Sequence, residues 1–325
     1  MVRRKLGSTE IEVSKLCFGT LTIGPLQCNL SVDAAAQLFL DAIEAGVNFF
    51  DTAELYRTYP HLHKMLIEAR REDVVIASKS YAYTYDGMRK SVERALRELG
   101  TSYIDIFMLH EQESRLTLKG HEDALRYLVD AKSQGLIRAV GVSTHAVEVV
   151  KQAALMPEID VIHPLLNMMG LGIIDGTRSQ MELAVKDAHK AGKGIYLMKA
   201  LGGGNLLPKF HQAISYVSRL EYVDSIAIGM QSSSELMENL KLLGGDIALD
   251  VEDEEVEVER AVVYPRSIGK TIHIEDWCQG CGRCVERCRY HALRLEGGKP
   301  VVDRSRCILC GYCASACPGL HIRVY

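Results

Sequence analysis

WCQGCGRCVERCRY (277–290) and RCILCGYCASACPG (306–319) are two copies of one cysteine spacing, C-x2-C-x2-C-x3-C, the second closed by Pro318. Moving the first copy forward by 29 residues lays Cys278, Cys281, Cys284 and Cys288 on Cys307, Cys310, Cys313 and Cys317. The flanks repeat in the same register, TIHI (271–274) on PVVD (300–303) and LRLE (293–296) on IRVY (322–325). Each half therefore reads as a strand, a cysteine loop with a short helix, and a strand, a small α+β domain over residues 271–325. Three thiolates at two-residue gaps wrap one 4Fe-4S cubane, while the fourth, after a wider gap, points to the other cluster. The expected ligand sets are Cys278, Cys281, Cys284 and Cys317 for one cluster and Cys307, Cys310, Cys313 and Cys288 for its twin. Paired C-x2-C runs also make tetrahedral zinc sites, but two fully matched four-cysteine runs fit zinc poorly. Nothing marks the chain as secreted, which argues against disulfides.

Working outward, residues 246–259 hold eight acids and no base. A solvated connector is the plainer reading, an acidic docking surface the sharper one. With Pro265 and Gly269 as punctuation, the linker is expected to span 246–270. Residues 271–325 carry eight Lys/Arg against five Asp/Glu, which partly offsets the negative charge of cluster-thiolate units. The cysteine runs resemble those of bacterial two-cluster ferredoxins, which implies a ferredoxin-like domain and a redox protein partner.

Before the linker, residues 1–245 repeat a short apolar run, a loop and an amphipathic helix about every thirty residues, the length of one βα unit. The runs are LCFG, NFFD, VVIAS, IDIFML, IRAVGV, VIHPLL, IYLM and SIAIG. Eight such units predict a closed (β/α)8 TIM barrel, an α/β fold. In the first helix Ala35, Leu38, Phe39, Ala42 and Ile43 follow the helical period behind a candidate N-cap, Ser31. Gly46, Gly100, Gly135, Gly192 and Gly244 stand where left-handed C-caps are expected. RRKLGSTEIEVSK (3–15) reads as a hairpin turning at Gly-Ser and plugging the barrel's bottom. A net charge of −4 with 25% charged residues gives no basic excess for nucleic acid. No window approaches a membrane span and no secretory leader is visible. A cytoplasmic protein is expected, in low oxygen. Cys17 and Cys28, outside the cluster runs, read as packing residues.

Chemistry in such barrels gathers where strands end. Asp51 closes the second run, Tyr56 follows it, Lys79 closes the third and His110 the fourth. Singly each has a structural reading; on adjacent strands they can converge. His61 and His63 read as exposed helix residues.

Over nearly the whole barrel the chain resembles the aldo-keto reductase family, through FFDTAELY with Asp51 and Tyr56, VVIASK with Lys79 and DIFMLH with His110. The resemblance implies hydride transfer between NAD(H) or NADP(H) and a small carbonyl or alcohol. It makes Tyr56 the general acid, Lys79 and Asp51 its tuning pair, and His110 the residue that orients the carbonyl. An adjacent ammonium is expected to lower the phenol's pKa. SIAIGMQSSSELMENL (225–240) resembles the family's segment for the adenosine end. It implies adenine contacts at Glu238 and Asn239 and phosphate contacts along Gly229 to Ser232 and at Gly202, Gly203 and Gly204. No Lys or Arg occurs from 228 to 239 to meet a 2′-phosphate, which favours NAD. At the nicotinamide grip the chain departs from the family: Ser143 and Thr144 replace Ser-Asn, His163 replaces Gln while Asn167 remains, and Met198, followed by Lys199, replaces a stacking aromatic.

Two functions follow as expectations. One is an NAD(P)-linked oxidoreductase whose fused ferredoxin domain relays electrons. The alternative is an electron-transfer or redox-sensing module whose barrel binds nucleotide without ordinary turnover. A flavin would bridge hydride and single-electron chemistry, but no motif for one is present.

Overall fold

The computed structural model describes all residues except 2, 245–271, 289, 308–311, 318–320 and 325. The expected acidic linker, Cys310 and Pro318 lie outside the described residues. Two compact units emerge. The first holds Met1–Gly202 and resumes at His211; the second holds Gly203–Phe210 and the C-terminal residues to Tyr325.

The first unit opens with a hairpin, β1 (Arg3–Lys5) and β2 (Glu12–Ser14), paired antiparallel with Arg3 opposite Ser14. Its turn needs a glycine, because Gly7 has φ +55° and a Cβ there would lie 2.2 Å from the Gly194 nitrogen. Leu6, Ile11 and Val13 pack into the barrel's apolar interior with Cys17, Phe49, Ala77, Met108, Ala139, Val161 and Tyr196. The plug at the bottom is thus a real element.

Each apolar run becomes a barrel strand: β3 (Leu16–Gly19), β4 (Phe49–Asp51), β5 (Val75–Ser80), β6 (Ile104–Gln112), β7 (Ile137–Thr144), β8 (Val161–Pro164), β9 (Gly194–Leu197) and β10 (Ser225–Gly229). All pair parallel in chain order, and β10 closes on β3 with Gly229 opposite Gly19. The strands are buried on both faces, which is why they read as continuous apolar runs and not as alternation.

Helices α1 (Val32–Glu44), α2 (Tyr59–Glu68), α3 (Tyr85–Leu99), α4 (Arg115–Gly120), α5 (Glu122–Ser133), α6 (Val147–Leu155), α7 (Arg178–Lys190), α8 (Phe210–Ser218) and α9 (Ser233–Leu243) fill the intervals. Ser31 caps α1 by accepting from the Ala34 nitrogen at 3.2 Å, as expected. Gly46, Gly100, Gly135 and Gly192 take positive φ after their helices. Gly244 does not; it stays right-handed at φ −92°. There a Cβ would meet the Leu240 carbonyl oxygen at 2.4 Å, so close approach and not handedness calls for glycine. Among the described residues no helix is long and apolar enough to cross a membrane.

The second unit contains β11 (Ile272–Ile274), α10 (Arg283–Arg287), β12 (Leu293–Glu296), β13 (Lys299–Val302), α11 (Tyr312–Ser315) and β14 (Ile322–Val324). The repeat's strands do not pair within their own halves. β11 pairs antiparallel with β14 and β12 with β13, so the two halves interlock around Ile272, Cys284, Leu293, Cys313 and Ile322.

Candidate active site and cluster-binding loops

Asp51 ends β4, Lys79 lies near the end of β5 and His110 lies in the second half of β6, so barrel register brings all three to the C-terminal mouth. Tyr56 arrives on the 3-10 turn Glu54–Tyr56. Glu54 pins that turn by accepting from the hydroxyls of Ser80 (2.7 Å) and Ser91 (2.9 Å). The Lys79 ammonium, 1% exposed, donates to Asp51 Oδ1 (2.8 Å), Asp51 Oδ2 (2.7 Å) and the Thr52 carbonyl (2.7 Å). It stands 4.8 Å from the centroid of the Tyr56 ring, and that ring meets His110 edge-on at 5.8 Å. The four expected residues therefore form one cluster.

Electrostatics differ from the sequence expectation at Tyr56. Burial, then the Asp51 charge, pushes its phenol well above the ordinary value, while the Lys79 donors are committed to Asp51 and Thr52. Burial also draws Lys79 below its ordinary value, against the pull of Asp51. His110 is held well below its ordinary value by burial and by the Lys79 charge, so its ring is neutral. Its Nδ1 is buried without a hydrogen-bond partner.

The side chains at the nicotinamide positions face inward. Ser143 Oγ accepts from the Glu111 nitrogen (2.8 Å) and Thr144 Oγ1 donates to the Gln112 carbonyl (2.7 Å), both fully buried. Asn167 accepts from the nitrogens of Met169 and Leu171 and donates to the Leu171 carbonyl. His163 lies beside Asp51, its Nε2 3.9 Å from Oδ2. Met198 is half-buried. At the expected adenosine end Glu238 is exposed, whereas Asn239 is buried, donating to the Glu235 carbonyl with its Oδ1 unpartnered. Ser232 caps α9, and Gly229 ends β10 just before it. Backbone N–H groups at the start of this eleven-residue helix suit a phosphate. Gly202, Gly203 and Gly204 all take positive φ.

Four residues at the mouth escaped sequence reasoning. Tyr81 stacks on His110 with centroids 4.2 Å apart and donates to Glu111 at 3.1 Å. Glu111 also meets His145 Nδ1 at 2.8 Å. Burial works to raise the Glu111 carboxyl, but His145 and the Lys199 charge outweigh it and hold it well below the usual carboxylate range. Tyr196 donates to Asp51 Oδ2 at 2.9 Å from across the barrel. The only signal was position: Glu111 directly follows His110, and Tyr196 is the polar residue in an apolar run. Two expectations are corrected. His61 is buried, its Nε2 3.3 Å from the Leu30 carbonyl, since α2 packs that face inward; Cys28 is exposed on the loop after β3 and not a core residue.

In the second unit Cys278, Cys281, Cys284 and Cys317 line one cavity of about 290 Å³, together with Gly280, Gly282 and His321. This is the first expected ligand set, gathered from both copies of the motif. The loop needs bare backbone: Gly280 has φ +64°, and a Cβ there would lie 1.7 Å from the Gly298 oxygen. A cavity ringed by four thiols suits a polynuclear group. Of the second set, Cys288, Cys307 and Cys313 join the domain's core. The backbone N–H of Ala292 reaches Cys288 Sγ (3.3 Å) and that of His321 reaches Cys317 Sγ (3.2 Å), equivalent positions in the repeat.

The aldo/keto reductase family profile matches residues 15–225, and a 4Fe-4S dicluster domain profile matches 277–319. L-galactose dehydrogenase of Arabidopsis thaliana is 22% identical over 302 residues, 81% of this chain and 94% of that protein. An uncharacterized oxidoreductase of Bacillus subtilis, YqkF, is 26% identical over 47% of this chain; the match spans 52% of that protein's length. A 6-dehydroglucose reductase of Novosphingobium aromaticivorans is 30% identical over 43% of this chain and 50% of its own. Among solved structures, an aldo-keto reductase from Pseudomonas aeruginosa superposes with a TM-score of 0.65 at 26% identity, covering 74% of this chain and 94% of that one.

Proposed function

The chain belongs to the aldo/keto reductase family, and from that premise we propose that it moves a hydride between NAD(H) or NADP(H) and a small carbonyl or alcohol. Its 4Fe-4S domain exchanges single electrons with a protein partner in a step separate from that hydride transfer. The observation that carries the reading is the Lys79 ammonium 4.8 Å from the Tyr56 ring, clamped by both Asp51 oxygens. In the reducing direction Tyr56 gives its phenolic proton to the substrate oxygen; its raised pKa keeps the proton in place through neutral pH. The charge left behind forms beside Lys79. With Nδ1 of His110 enclosed, Nε2 is the nitrogen that a carbonyl oxygen meets, and a neutral ring donates there. When bound, the dinucleotide supplies or accepts the hydride and the clusters carry one electron each. L-galactose and a dehydroglucose appear in the names of two of these similar proteins, which supports a small polar carbonyl or alcohol. The absence of Lys or Arg from 228 to 239 supports NAD.

We also propose the division into a barrel (1–245), a linker (246–270) and a cluster domain (271–325), a cytoplasmic location, and two clusters on the ligand sets given above. The test is an air-free titration with NADH and NADPH, following nicotinamide and cluster absorbance together and then adding small aldehydes, ketones and aldoses. Carbonyl turnover and about eight irons and eight sulfides per chain are expected. A protein that oxidises neither dinucleotide with any carbonyl and leaves its clusters unbleached ends the enzyme reading; a colourless, zinc-loaded preparation ends the relay. The inward-facing Ser143, Thr144, His163 and Asn167 favour a second reading, a redox-sensing module that binds nucleotide without turnover. Dinucleotide binding that bleaches the clusters without carbonyl turnover would select it.

A further inference from the structure

Beneath the mouth, Asp51 has more donors than Lys79 alone. Its Oδ2 accepts from Lys79 at 2.7 Å and from the Tyr196 hydroxyl at 2.9 Å. Tyr196 is fully buried in the barrel's core, tilted against Phe49 and stacked on His163 with centroids 3.8 Å apart and planes at 16°. His163 Nδ1 lies 2.7 Å from the Tyr196 carbonyl oxygen. A carbonyl only accepts, so Nδ1 carries the proton and the neutral ring turns a lone pair, on Nε2, toward Asp51. At 3.9 Å that nitrogen makes no hydrogen bond to Asp51. What His163 does hold, by its ring and by its Nδ1–H, is Tyr196.

An ammonium has three protons, and Lys79 spends its bonds on two Asp51 oxygens and the Thr52 carbonyl. To stabilise the oxygen of Tyr56 once that phenol has given up its proton, Lys79 must let one of these go. Releasing Oδ2 would strand a buried carboxylate oxygen, which is costly unless another donor stays on it. Tyr196 is that donor.

We propose that Tyr196 is a positioning residue of the proton-transfer site, keeping Asp51 Oδ2 bonded while Lys79 turns toward Tyr56, and that His163 serves this arrangement and not the cofactor. The inference rests on the proton-transfer reading of Asp51, Tyr56 and Lys79. The other titratable groups near Asp51 and Lys79 are Cys17 from β3 and His110 from β6, while His145, just after β7, acts on His163 and His110.

The test compares Tyr196→Phe, His163→Ala and His163→Asn in the full chain, with NADH as the binding probe. Tyr196→Phe keeps the ring's packing and His163→Asn can keep a donor to the Tyr196 carbonyl. Tyr196→Phe and His163→Ala are expected to slow the hydride-transfer step on the order of tenfold to a hundredfold, with His163→Asn close to the parent. The dinucleotide Kd by calorimetry stays within about twofold in all three. A readout independent of turnover is the Lys79 Nζ titration by nitrogen NMR: losing the Tyr196 hydroxyl leaves more charge on Asp51, so the lysine's titration moves up. An unmoved Lys79 titration in Tyr196→Phe overturns the proposal even if the barrel proves catalytically silent, and so does a His163→Ala variant that loses tenfold or more in dinucleotide affinity at an unchanged rate.

Discussion

The two ends of the barrel use the same residue types for opposite purposes. At the N-terminal end carboxylates are tied to backbone and cations. Asp105 accepts from the Ile76 nitrogen (2.9 Å), Arg71 (2.7 Å) and Arg138 (2.7 Å). Asp160 takes the Val140 nitrogen and Lys132, and Asp224 the nitrogens of Ile195 and Gly7. Each stitches the start of one strand to its neighbour. At the C-terminal end bonding is incomplete and the backbone is under tension: His110 Nδ1 and Gln112 Oε1 have no partner, and Glu111 (φ 49°) and Lys199 (φ 56°) sit in the left-handed region. Unspent polar capacity and backbone strain persist where a ligand completes the bonding. The lower end holds the barrel shut; the upper end is left unfinished for chemistry.

The sharpest way to break this contrast is Tyr56→Phe. Loss of one general acid should cut carbonyl turnover by about 10²- to 10⁴-fold, with an unchanged thermal midpoint by circular dichroism; a rate that survives would move the proton source elsewhere. Asp105→Ala should do the reverse. Removing the carboxylate leaves the buried Ile76 N–H unpaired and takes an ion-pair partner from Arg71 and the half-exposed Arg138, so a stability loss of about 1–3 kcal/mol in urea unfolding is expected, with kcat of the folded fraction untouched.

Acid should find the upper end first. Burial lowers the His163 pKa from 6.5 to about 4 and, with the Lys79 charge, holds that of His110 well below its ordinary value. Below pH 6.5 the unfolded chain takes up these protons while the folded one does not. The stability contributed by the neutral rings is therefore present above the unfolded value and lost as pH falls through the window down to about 4 for His163. The expected slope is about 1.4 kcal/mol per pH unit for each ring, and His163→Asn should remove one ring's share in denaturant titrations across that range. The smallest effect belongs to the caps around the mouth: Ser31→Ala should cost about 1 kcal/mol by loss of the Ala34 bond and leave activity alone, separating plain scaffolding at this end from its chemistry.

How much of this was legible follows from the range of each signal. Apolar runs, helix period and cysteine spacing are local, so all eight barrel strands, the plugging hairpin and the strands of the cluster domain could be read from the chain. Asp51, Tyr56, Lys79 and His110 could be located because each stands at or just beyond a run. Pairing was less legible: the repeat gave each half its two strands but not their partners, and the strands pair between the halves. Burial of a single surface-type residue was not legible either, as His61 and Cys28 show, because it depends on which face a neighbouring element covers.

By itself, then, the sequence determined the number and order of the elements, the thiol spacing and which polar side chains stand at the strand ends, since periodicity and spacing act between residues close in the chain. Only the tertiary structure decided who touches whom. Closing the barrel brings Tyr196 onto Asp51 from 145 residues away and sets His163 beside the carboxylate; within the second unit, folding gathers Cys317 into one cavity with Cys278. Contacts of that kind arise from chain closure in three dimensions, and no local pattern of letters encodes them.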